Sequence, residues 1–201
     1  MNEIITPNQL RGRVRACRHV AGMPPKFDVP FYTTDWLSNL VVYEWGAIVS
    51  RLLATGDVAY RIGGMYLEFE NVATPGDPVS PPTFDRTRDI EYYNELATNP
   101  DRDYIRVAMT AHEIGSSDEE LYPKDNQLVF FARSAGLEGV HGKTFSHTAN
   151  SVIFGASLVA FVDRDDATRD LILSSFYFPT EEQQPKLSTS QVGLEWELTL
   201  E

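Results

Sequence analysis

The chain has 201 residues, 42% of them hydrophobic and 23% charged, with a formal net charge of -12. That size and composition suit one ordinary globular domain, and so acidic a chain lacks the basic face a general nucleic-acid binder needs. The single cysteine, Cys17, excludes an intramolecular disulfide framework and a cysteine zinc ribbon. No apolar run approaches the roughly 20 residues that span a bilayer as a helix, and the opening MNEIITPNQLRGRVR has no apolar core of a secretory signal. The expectation is a protein made in the cytoplasm, with no membrane association.

The charge is unevenly placed. Residues 1–26 carry Arg11, Arg13, Arg15, Arg18 and Lys26 against Glu3, a net of +4, which leaves -16 on the rest. Arg11, Arg13 and Arg15 alternate with Gly12 and Val14, so an extended chain sets the three guanidinium groups on one face. Such a stripe suits a row of carboxylates on another subunit better than a nucleic-acid groove. The proline-punctuated MPPKFDVPF (23–31) follows and cannot be helical. Residues 1–35 therefore read as an extended basic arm, with Arg11, Arg13, Arg15 and Arg18 as partner-binding residues. A solvated arm whose arginines only confer solubility is the plain alternative.

Residues 36–201 read as one domain. Leu37, Leu40, Val41, Trp45, Ile48 and Leu52 recur at steps of three or four, which predicts a helix over 36–54 with Gly56 as its C-cap. From Val58 the period changes to two. Met65, Leu67 and Phe69 alternate with Tyr66, Glu68 and Glu70, and Gly63-Gly64 marks a bulge. Residues 73–89 hold four prolines and read as a long surface loop. IEYYNELA (90–97) fits a short helical turn or an edge strand. Further strands are expected at 103–114, 126–135, in SVIFGASLVAFVD and in ATRDLILSSFYF, the last two joined by a tight Arg164-Asp165-Asp166 hairpin. In the final QVGLEWELTL, Val192, Leu194, Trp196, Leu198 and Leu200 face one side, and Glu195 and Glu197 the solvent side or another subunit. Six or seven strands with one early helix predict a mainly antiparallel β-sandwich with a helical cap.

No catalytic constellation stands out. His19, His112, His141 and His147 lack metal-ligand spacing. The acidic turn Asp163, Asp165 and Asp166 lacks the glycine and closing glutamate of a calcium loop. Arg61-Ile62-Gly63-Gly64 has no helix or lysine after it to make a phosphate loop. Cys17 with His19 has no oxyanion scaffold in sight. Glu68 and Glu70 share a strand face and read as a solvated row. No cofactor is expected. Phe176-Tyr177-Phe178 ends a strand, so at least one of the three faces outward, as an interface anchor, a sugar platform or packing across a subunit contact.

Two stretches, SNLVVYEWGAIVSRLLATGD with Ile62-Gly63-Gly64, and VIFGASLVAFVD with LILSSFYFPTEEQQPKLSTSQVGLEWELTL, resemble small structural proteins of tailed-bacteriophage virions. The likeness spans residues 36–72 and 151–200, and the insert at 73–103 has no counterpart in it. It implies a non-enzymatic tail, neck, baseplate or fibre-attachment subunit. Such a subunit forms a homo-oligomer, contacts other virion proteins and resides in the virion. A carbohydrate-binding module using Tyr66, Tyr92, Tyr93 and Phe176–Phe178, and a glycan hydrolase using paired acids, are the alternatives.

Overall fold

The computed structural model describes residues 10–20, 32–38, 40–41, 44–80, 88–96, 98–114, 127–133, 138–145, 150–185 and 190–200. Seven long strands form the wall: β1 (Leu10–Val20), β5 (Ile62–Asn71), β6 (Arg102–Ile114), β7 (Gln127–Arg133), β8 (Ser151–Ala160), β9 (Leu171–Tyr177) and β11 (Ser190–Leu200). Four two-residue strands complete the eleven seen among the described residues: β2 (Tyr32–Thr33), β3 (Leu37–Ser38), β4 (Leu40–Val41) and β10 (Gln184–Pro185). The sheet runs β2-β1-β11-β7-β6-β5-β8-β9-β4 with antiparallel pairings.

The chain is thus mainly antiparallel β, as expected, but the wall is one nearly closed barrel rather than two stacked sheets. Residues 37–41 make the difference. Leu37 and Ser38 pair with Val14 and Arg13 of β1, and Leu40 and Val41 pair with Ser175 and Ser174 of β9. A single short segment therefore bridges the two ends of the sheet. Closure removes most of the open edge that a sheet otherwise presents.

This closure also shortens the expected helix. The helix α1 spans Glu44–Thr55, not 36–54. Its predicted C-cap holds: Gly56 sits at φ 63° and donates its N–H to Leu52 O at 2.9 Å. Trp45, Ile48 and Leu52 pack onto the sheet at Ala160 and Leu173. Glu44 accepts the backbone N–H of Ile172 at 2.7 Å, satisfying a donor beside the seam.

Residues 10–20 are not a free arm. They pair with β11 along its full length, Leu10 opposite Leu200 through Val20 opposite Ser190. Val14 and Ala16 enter the core. The alternation that lined up the arginines is that of a wall strand, whose other row is apolar. The remainder of the expected 1–35 arm before Leu10, and residues 21–31, lie outside the described residues.

The barrel interior is filled by side chains. Trp196, Phe69, Phe145, Phe176, Phe178, Met65, Leu67, Leu158 and Leu198 form one buried cluster. The rows predicted from β5 and β11 are in it, with Leu200's side chain outside the described set. Bulges adjust the wall. Gly63 is the extra residue between the Ile62–Ala160 and Gly64–Val159 pairs. A Cβ on Gly64 would lie 2.1 Å from Val107 O, so the predicted glycine bulge is also a place of close backbone approach. On β9, Leu173 is the extra residue between the partners of Leu158 and Val159 and meets Ile48 of α1. The β8–β9 connection is longer than a tight hairpin. It runs over 161–170 and includes a helical turn at Ala167–Arg169.

Candidate functional site

The outer row of β5, expected to be solvated, is covered. Helix α2 (Ile90–Leu96) lies over it, settling the 90–97 alternative in favour of helix. Asp89 caps α2, its Oδ1 accepting Glu91 N at 3.0 Å and Tyr92 N at 3.3 Å. Tyr93 and Leu96 face the sheet and are buried. Beneath them Glu68 is completely buried, as are Ser157 and Ser175.

Glu68 is the centre of a polar clasp. Arg88 Nη1 reaches its Oε1 at 3.2 Å, and the Tyr93 hydroxyl donates to the same oxygen at 2.9 Å. Tyr92 donates to Oε2 at 3.1 Å. The Arg88 guanidinium lies 3.8 Å from the Tyr92 ring centre and 4.7 Å from that of Tyr177, and it donates to the Tyr177 hydroxyl. Tyr93, Ser157 and Ser175 continue the hydrogen-bond chain inward. Burial pushes the Glu68 carboxyl above its ordinary range, with Arg88 and the two phenols pulling the other way. Burial is the largest influence on Arg88 and opposes its charge, but Glu68 together with Tyr93, Tyr92 and Tyr177 outweighs it and keeps the guanidinium protonated. Both carboxylate oxygens are engaged by side chains on or next to α2, so the cluster ties that helix to the sheet.

Two other fully buried acids do the same for other segments. Asp170 takes a bidentate bond from Arg106 at 2.8 and 2.7 Å. Arg106 also donates to the Asp163 and Arg164 carbonyls, tying down the 161–170 turn. Asp103 accepts the backbone N–H groups of His141 and Lys143 at 3.1 and 3.3 Å and lies 2.9 Å from His141 Nδ1. A Cβ on Gly139 would sit 2.2 Å from Asp103 Oδ2, so glycine is needed for that approach. The same loop inserts Phe145 into the buried cluster against Phe69, ring centres 4.6 Å apart.

The expected partner residues are used within the chain. Arg13 bonds Glu197 through Nε and Nη2, both at 2.8 Å, and Arg15 Nε bonds Glu195 at 2.7 Å. Trp36, within the 36–54 stretch expected to be helical, lies over these guanidinium groups, 4.2 and 4.4 Å away. Glu195 and Glu197 are consequently buried rather than solvent-facing. Arg18 Nε bonds Gln184 at 2.8 Å. Arg11 stands opposite Thr199 in the ladder, and its side chain is outside the described set.

Phe176 and Phe178 point into the chain's own core, where Phe176 meets Trp196 edge-on at 5.5 Å. Tyr177 joins the clasp. Tyr66 and Tyr93 are fully buried, so these rings are not laid out as a sugar platform. Glu70 pairs with Arg102. Cys17 is buried, and burial pushes its thiol up. Side chains of His19 and His112, and all of His147, lie outside the described residues. Arg88, Arg106, Asp103 and Asp170 were not singled out from sequence. Arg88 falls inside the 73–89 stretch that reads as loop, and only the mid-strand charges of Arg106 and Asp103 were a visible signal.

Compared with protein-family models, with curated proteins and with solved structures, the chain matches none of them.

Proposed function

We propose that this chain is a structural, non-enzymatic subunit of a tailed-phage virion, assembling with copies of itself and with other virion proteins. The observation that supports the reading is the use made of the three acids that are fully buried among the described residues. Glu68, Asp103 and Asp170 each fix one peripheral segment onto a barrel already filled by its own side chains. Polar groups spent on holding segments rigid suit a building block whose surface must keep one shape against its neighbours. The sequence resemblance supplies the class, at the level of tail, neck, baseplate or fibre attachment. The Arg13 and Arg15 stripe is reassigned from subunit docking to the wall itself. The test is sedimentation and negative-stain imaging of the purified full chain over a concentration series. A closed oligomer or ring is expected, and a monomer throughout overturns the reading.

A further inference from the structure

Among the described residues the two most exposed large hydrophobic side chains are Leu53, 83% exposed, and Val58, 69% exposed. They lie five positions apart at the C-terminal end of α1 and just past it. Ala47, Ser50 and Ala54 share the exposed side of α1, and the space around Gly46 is open to 4 Å. Solitary exposed leucines are ordinary, but a clustered apolar face marks a contact.

The charge pattern indicates what covers it. Ile62 pairs with Ala160, so the chain enters β5 and leaves β8 at the same rim of the barrel. Residues 50–61 and the 161–170 turn therefore meet there. Apart from the Arg106–Asp170 pair, these segments carry Arg51, Arg61, Arg164 and Arg169 against Asp57, Asp163, Asp165 and Asp166. The rim is neutral on a chain of net charge -12. The chain's net charge is carried outside this rim, where each copy instead offers both signs around an apolar centre. A two-fold contact, in which one patch meets itself, requires that self-complementarity.

We propose that this rim, centred on Leu53 and Val58, is where a second copy of the chain docks. The proposal rests on the homo-oligomer reading and names its contact surface. In the contact Leu53 of one copy fills the open ground beside Gly46 and Ala47 of the other.

The test is sedimentation equilibrium of the full chain, wild type beside Leu53→Asp/Val58→Asp, with thermal melts of both. Both side chains are exposed, so the melt of the double variant should match the wild type while association weakens by about tenfold or more. If the double variant melts early, Ala54→Arg on the same face gives the same reading without altering Leu53 or Val58. An oligomeric wild type whose association is untouched by these changes overturns the rim but leaves the homo-oligomer reading standing. A wild type monomeric at every concentration overturns both.

Discussion

Two arginine–glutamate arrangements decorate the outside of the same barrel, and they differ in what burial has done to them. On β1 and β11, Arg13 and Arg15 stand directly across from Glu197 and Glu195, under the partial cover of Trp36. The Arg13 side chain remains 36% exposed. Glu68 of β5 and Arg88, just before α2, are sealed beneath that helix, with 0% and 2% of their side chains exposed. The first two pairs keep water only on their arginine side, since Glu195 and Glu197 are themselves buried. The sealed pair has lost its water, so its worth depends on every partner being present.

The largest expected effect breaks the sealed pair. Arg88→Ala strands a buried carboxylate and should cost about 3–5 kcal/mol, read by urea unfolding. Without Arg88 the Glu68 pKa in the fold moves further above its unfolded value. Stability is then retained at acid pH and lost as pH rises through that folded value, so the variant should be weaker at pH 8 than at pH 5. Glu68→Gln/Arg88→Met, which removes both charges, should recover much of the loss. A double variant no better than Arg88→Ala would show that shape, not charge, holds α2.

The tyrosines around that clasp sharpen the contrast on the alkaline side. Burial pushes Tyr104 up to about 12, and Tyr66, Tyr92 and Tyr93 are raised by the same cause. Folded values above the ordinary value near 10 mean a contribution that is whole below pH 10 and lost as pH climbs toward 12. Phenolate absorbance and tryptophan fluorescence should therefore change together in one alkaline unfolding step. Phenolate signals that run to completion before the fluorescence moves would place these rings in solvent.

The same contrast explains what was legible in the sequence. The alternation in β5 and β11 named the interior rows, because period two and apolarity together define a buried face. It said nothing true about the other rows. Glu68 and Glu195 look like solvent residues, and each is buried by an arginine that is distant in sequence, 20 and 180 positions away. Gly56 and Gly63-Gly64 were readable because backbone geometry is local. The start of α1 was not, since Leu37 and Val41 keep a helical spacing while pairing with β1 and β9. Whether a sheet closes is a long-range fact that no local period carries.

The smallest expected effect concerns the half-exposed ladder on β1 and β11. If Arg13 and Arg15 serve register and partial cover, Arg13→Ser/Arg15→Ser should cost only about 1–2 kcal/mol in total. Exposed pairs contribute about 0.2–1 kcal/mol each; these half-exposed pairs sit at the upper end of that range, and the two buried glutamates left behind can recover water once the guanidinium groups and the Trp36 stack are gone. The loss should shrink at high salt, where the screening length falls from about 8 Å at physiological ionic strength to about 3 Å at 1 M. Trp36→Ala alone should fall within the same range, because it removes the cover but leaves both ion pairs. Thermal melts of the three proteins at low and high salt measure this. A loss as large as that of Arg88→Ala, indifferent to salt, would mean that the ladder is as dry as the clasp. The distinction between the two arrangements would then fail at Trp36, whose ring would be sealing the pair as α2 seals Glu68.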